Sequence, residues 1–148
     1  MFRSLKVFIP VLLLAVFLAA CATPATQPAA TETSDSAGIA NPASENCTKQ
    51  GGTLSIQTRG DLGQYGVCVF EDNRQCEEWA LMRGECPAGG LKITGYITQA
   101  AQYCAITGGE YAITGESGSD KELGTCTFKN GKSCDVWEYF NGTCDPNQ

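Results

Sequence analysis

Nine cysteines and no histidine stand in this 148-residue chain, and the spacing of the cysteines decides what they can do. Cys47, Cys68, Cys76 and Cys86 recur as Cys104, Cys126, Cys134 and Cys144, and Cys21 has no counterpart. Thiols can ligate metal, exchange electrons or close as disulfides. Zinc sites want close pairs such as C-x-x-C and usually histidine, whereas the closest spacing here is eight residues. No metal and no cofactor are expected. A redox role is also disfavoured, because no C-x-x-C pair lowers a thiol pKa. Pairwise oxidation of the eight repeated cysteines remains.

The other reactive side chains are carboxylates. Without histidine the Ser-His and Cys-His nucleophile systems are excluded, and a glycosidase-like pair is the remaining catalytic option. Glu77, Glu78, Glu85, Asp135 and Glu138 are available for it, yet Val136 replaces Glu78 and Thr143 replaces Glu85 in the second copy. These acids read as a solvated face. The expectation is a protein that is not an enzyme and has no catalytic residues. Trp79 and Trp137 recur at one position and read as the centres of two small cores rather than as ligand platforms.

A shift of 58 places Gly66 on Gly124, Cys68 on Cys126, Phe70 on Phe128, Trp79 on Trp137 and Cys86 on Cys144. Upstream the shift is 57, pairing Cys47 with Cys104 and Gly51-Gly52 with Gly108-Gly109. Such coincidences mark duplication of one structural unit. Residues 41–88 and 97–146 are the expected domains, with 89–96 as linker. Units below about 70 residues seldom stand on apolar burial alone, so disulfides are the expected reinforcement.

The amino terminus supplies the compartment. Arg3 and Lys6 precede an apolar run from Val7 to Ala20, and Leu18-Ala19-Ala20-Cys21 closes it. This is the pattern of an export signal, too short for a helix that needs about 20 residues to span a bilayer. The small residues before Cys21 resemble a lipobox, so residues 1–20 are expected to be removed and Cys21 acylated. Ala22 rather than Asp follows, which favours the outer membrane in a host with two membranes. Residues 21–40 are rich in Ala, Thr, Ser and Pro and cannot bury enough surface to order themselves. As a flexible tether they reach about 25 Å. Export favours four disulfides.

Residues 1–20 carry two positive charges and no negative one, so the net charge goes from −6 to about −8 once they are removed. That argues against nucleic acid and against electrostatic docking on anionic lipid. The bilayer is expected as a partner only through acylated Cys21. The remaining expected partner is an envelope protein, peptide or glycan, met by the loops Thr58 to Gln64 and Gly115 to Glu122.

Within a unit, Asn41-Pro42 is a helix start and Gly51-Gly52 its end. Thr98-Gln99 is a weaker start in the second copy. Leu54 and Ile56, matched by Tyr111 and Ile113, alternate as in a strand. Thr125 and Thr127 stand where the first copy has Val67 and Val69, so these positions are expected to face outward, with Cys68 and Phe70 inward. Asp72-Asn73 and Asn130-Gly131 mark hairpin turns, and Trp79, Ala80 and Met82 suit a short helix, with a third strand as the alternative. The fold class is α+β: two small disulfide-stapled domains, each a short helix, a small antiparallel sheet and a second short helix. A two-residue turn puts Cys126 and Cys134 on opposite faces and a three-residue turn leaves them diagonal, which disfavours bridges within the hairpin. A helix over 77–83 also separates Cys76 from Cys86. Cys47–Cys76 with Cys68–Cys86 is then the expected pairing, repeated in the second copy.

NPASENC, KQGG, GVCVF and CEEWALMRGEC together resemble the four-cysteine domain of unknown function found in bacterial exported lipoproteins that carry a hemolysin label. CAITGG, GTCTF and CDVWEYFNGTC are similar to a second copy that lacks Asn-Pro at its start. The resemblance covers about 41–86 and 97–144. Its label implies membrane lysis, but it brings no catalytic residues. Lysis needs an amphipathic or apolar segment able to enter a bilayer, and none follows Cys21.

Overall fold

The computed structural model describes residues 40–148, which fall within one compact unit. The leader, Cys21 and nearly all of the expected tether lie outside the described residues. The first repeat runs α1 (Pro42–Lys49), β1 (Thr53–Thr58), β2 (Gln64–Val69), β3 (Arg74–Glu77), α2 (Glu78–Arg83) and β4 (Leu91–Lys92). The second runs α3 (Gln99–Ile106), β5 (Glu110–Gly115), β6 (Leu123–Thr127), β7 (Ser133–Asp135) and α4 (Val136–Phe140). Two antiparallel sheets result, β1-β2-β3-β4 and β5-β6-β7. The fold is α+β with four disulfides, as the sequence implies.

Local chemistry sets the helix ends. The Asn41 side chain accepts from the Ala43 amide, and Pro42 opens α1 where no amide hydrogen is needed. Thr98 caps α3 in the same way, accepting from the Ala101 amide at 3.1 Å. Glu77 and Asp135 cap α2 and α4 through their carboxylates. The position expected as either helix or strand is both: β3 runs directly into α2.

The disulfides correct the expected pairing. Cys47 joins Cys68 and Cys76 joins Cys86, and the second copy repeats this as Cys104–Cys126 and Cys134–Cys144. Cys76 and Cys86 meet because α2 is only six residues long and Gly84 then turns left-handed. The Glu85 and Cys86 amides both bond back to the Ala80 carbonyl, at 2.8 and 3.1 Å, reversing the chain toward β3. The hairpin geometry differs as well. Three-residue turns place Cys68 directly opposite Cys76, and Cys126 directly opposite Cys134, rather than diagonal. Each of these neighbours nevertheless bonds outward, one to a helix and one to the returning chain.

The double glycines have two separate tasks. Gly51 and Gly108 take the left-handed conformation that ends α1 and α3. Gly52 and Gly109 leave room for sulfur, because a Cβ on either would stand 2.3 Å from the Sγ of Cys68 or Cys126. The helix-to-strand disulfide therefore lies directly over the chain reversal that it locks.

The repeats share a core. Val67, expected to face outward, is completely buried and packs with Ile93 and Ile106, flanked by Tyr65, Val69, Leu91 and Tyr96. The first sheet is thus covered on one face by α1 and α2 and on the other by α3 of the second repeat. Residues 89–96, expected as a linker, supply β4 and the buried Ile93. The positions equivalent to this contact are polar at both free ends of the pair. Thr125 and Thr127 stand for Val67 and Val69, Lys49 for Ile106, and Asn46 for Tyr103. The tryptophans do not centre the cores. Trp79 is 40 % exposed and Trp137 is half-buried, while disulfides with Ala80, Leu81, Val136 and Phe140 fill the interior.

Replacing Gly109 with alanine presses a methyl against the Cys104–Cys126 bridge, and overpacking of this kind costs about 1–3 kcal/mol. Urea unfolding of oxidised Gly109→Ala should show that loss, and Gly115→Ala, whose added methyl meets Leu123 at an ordinary 3.5 Å, should lose less.

Candidate functional site

A cleft of about 610 Å³ opens where the repeats meet, within the range of roughly 300–1,000 Å³ common for small-molecule sites. The first repeat contributes Tyr65 from β2, Glu77 at the start of α2, Trp79 and Arg83 on α2, and Glu85 beyond it. The second contributes Tyr103 from α3, Thr107 after it, Phe128 and Lys129 at the β6–β7 turn, and Tyr139 on α4.

Tyr103 organises the wall. Its ring lies 5.0 Å from those of Tyr65 and Tyr139 and 5.7 Å from Phe140. Phe128 stands edge-on to Tyr139 at 4.9 Å. Arg59 reaches over from the first repeat, its guanidinium 5.9 Å from the Tyr103 ring centre and donating to the Tyr103 hydroxyl at 3.4 Å. Asp61 holds that arginine at 2.6 Å and also accepts from the Gly63 amide. The Thr58 to Gln64 loop, expected as a contact surface, therefore docks the two repeats together. The Gly115 to Glu122 loop is likewise tied inward. Glu122 is buried and accepts from the Tyr111 hydroxyl at 2.8 Å and the Gly118 amide at 3.0 Å.

The carboxylates expected on a solvated face divide by position. Glu85, Asp135 and Glu138 are at least partly exposed, but Glu77 and Glu78 are buried. Glu78 accepts from Asn41 at 2.9 Å and from Ser44 at 2.5 Å, binding α1 to α2. A Cβ at Gly66 would strike that carboxyl. Glu77 accepts from the Trp79 and Ala80 amides. Glu77 and Glu85 both line the cleft, yet each is engaged, Glu77 as a helix cap and Glu85 in an ion pair with Arg83 at 2.7 Å. Among the described residues, no cluster of three or more His, Cys, Asp or Glu is placed to hold a metal ion.

Burial tunes the titrating groups. It pushes the Tyr65 hydroxyl up to about 12 and raises that of Tyr139, so both remain neutral donors at ordinary pH. Burial also raises the Glu77 carboxyl, against the downward pull of the amides it caps and of Arg83.

The tryptophans have diverged. The Trp137 indole N–H donates to the Glu122 carbonyl at 3.0 Å, which fixes the ring in the fold. The Trp79 indole makes no hydrogen bond among the described residues and faces the cleft. Sequence reasoning placed both in cores and missed the aromatic wall. Its available signal was Tyr103, a bulky aromatic where the first copy has Asn46.

Residues 38–85 and 96–143 each match the family described as "Domain of unknown function (DUF333)", together more than half of the chain. The chain belongs to the DUF333 family. It is 42 % identical over 72 residues to the uncharacterized protein YoaF of Escherichia coli K12, across 49 % of this chain and 82 % of YoaF. YoaF of Shigella flexneri matches with the same identity and coverage. No solved structure matches. In this DUF333 tandem the cleft is built from residues of both copies. Among the described residues, no helix is long and apolar enough to cross a membrane.

Glu77 gives a pH signature. A carboxyl whose pKa rises on folding contributes stability that is fully present below its unfolded value of 4.5 and lost as pH climbs through the folded value. Glu77→Gln keeps a capping oxygen but cannot titrate. The difference in unfolding free energy should therefore move in favour of the glutamine variant as pH rises above 4.5, as read from urea curves.

Proposed function

We propose that this protein is a lipid-anchored envelope module that binds, rather than transforms, its ligand, and that the inter-repeat cleft is the binding site. The carrying observation is Trp79, a large aromatic 40 % exposed beside a cleft of about 610 Å³. Burial of that surface by a ligand would be favourable at about 25 cal/mol per Å² of apolar area. The frame supports the same reading. Two disulfides in each repeat and a shared core fix the cleft walls before any ligand arrives, which reduces the ordering cost of binding.

A non-catalytic role fits the state of the acids. Neither Glu77 nor Glu85 stands free as a proton donor or nucleophile, because one is committed to helix amides and the other to Arg83. Four disulfides favour an oxidising compartment outside the cytoplasm. Acyl chains on Cys21 would hold the module at a bilayer of the cell envelope, the outer membrane where the host has two.

Two measurements test this reading. Cys21→Ser should move the protein from the membrane fraction to the soluble fraction and remove the acyl mass seen in the intact wild type. Photo-crosslinking of the full-length protein in envelope preparations should give adducts at the cleft that Trp79→Ala loses. An unchanged adduct pattern would remove the cleft from the proposal.

A further inference from the structure

The cleft's chemistry narrows what can occupy it. Its ionised groups balance, Glu77 and Glu85 against Arg83 and Lys129, so neither a strongly anionic nor a strongly cationic ligand is matched. Its other polar groups are neutral: the hydroxyls of Tyr139, Tyr65 and Thr107 and the amides of Asn147 and Asn130. The Tyr65 and Thr107 hydroxyls already donate to Gln57 and to the Tyr103 carbonyl and so meet a ligand as acceptors, and one donor of Asn130 is taken by the Pro146 carbonyl. No residue of β1, β4, β5 or β7 lines it, and those are the edge strands of the two sheets. An extended peptide could not add itself as a strand there, since that mode requires an unpaired strand edge. Recognition must run through side chains.

Trp79 is also held in place. It sits in the first turn of α2, which Glu77 caps and which the Cys76–Cys86 bridge spans. Its ring is an exposed apolar plate on a held stretch of backbone, in a cleft whose charges pair off and whose remaining polar groups are neutral. A molecule that matches this has a flat C–H face and a hydroxyl-bearing edge.

Resting on the cleft reading above, we propose that the ligand is a neutral saccharide, with one pyranose ring stacked on Trp79 and its hydroxyls met by the tyrosine, threonine and asparagine side chains. Binding takes place without bond cleavage. The counterpart Trp137 takes no part, because it does not line the cleft.

The test uses full-length protein in a detergent without a sugar headgroup, titrated with maltotriose and with chitotriose. Trp79 and Trp137 are the two tryptophans of the chain, so Trp137→Phe leaves Trp79 as sole reporter. Saturable change in its fluorescence with at least one trisaccharide is expected. By calorimetry on the Trp137-containing protein, Trp79→Ala should weaken binding about tenfold or more, as loss of a central aromatic contact does, and Trp79→Phe should retain part of it. Three results would overturn the proposal. Trisaccharide binding that Trp79→Ala leaves unchanged places the sugar elsewhere. If neither trisaccharide binds but Trp79→Ala still abolishes crosslinked adducts, the cleft stands and the ligand is a peptide or protein. If neither binds and the adducts persist, the cleft reading fails as well.

Discussion

A sulfur–sulfur bond laid across a glycine is the constraint on which the structure depends. In each repeat the bridge from the first helix to the central strand, Cys47–Cys68 or Cys104–Cys126, lies against the second of two glycines. The helix cannot lift from the sheet while the bridge holds, and the bridge cannot sit there unless the reversal lacks a side chain. Closing a loop of about 20 residues contributes roughly 3 kcal/mol by restricting the unfolded chain, on a model whose mechanism is debated. For a unit with so few large apolar side chains that is a substantial share of a net stability of about 5–15 kcal/mol.

From that clamp the remaining architecture follows. With α1 pinned to one face of the first sheet, the opposite face is free for Val67 to meet Ile106. Arg59 and Tyr103 then fasten the rim of the same contact. The cleft is a by-product of this docking, since its two walls belong to different repeats. Duplication therefore supplied a concave surface that one copy could not form alone.

Much of the fold was legible in the residues. Asn41-Pro42, the paired glycines, and the Leu54/Ile56 alternation placed helix, reversal and strand correctly, because each is decided within a few positions of the chain. What failed depended on contacts between elements. The Thr125-for-Val67 exchange suggests that both positions face water, but it reports only on the second copy. Val67 stays apolar because another repeat covers it. The expected cysteine pairing fails because a helix over 77–83 would carry Cys86 away, but the reversal after Gly84 brings it back. Trp79 and Trp137 share a position in the repeat yet differ in surroundings, so a single reading for both could not hold. The aromatic wall involves Tyr65 and Tyr139, far apart in sequence and unremarkable individually.

Val67 meets Ile106 as front meets back, so each repeat has one surface of each kind, and such a contact has no geometric reason to stop at two. A third unit, from a neighbouring molecule, would have to dehydrate the hydroxyls of Thr125 and Thr127 or the ammonium of Lys49 without recompense. The polar residues at these positions thus oppose a repeat of the Val67–Ile106 contact between molecules.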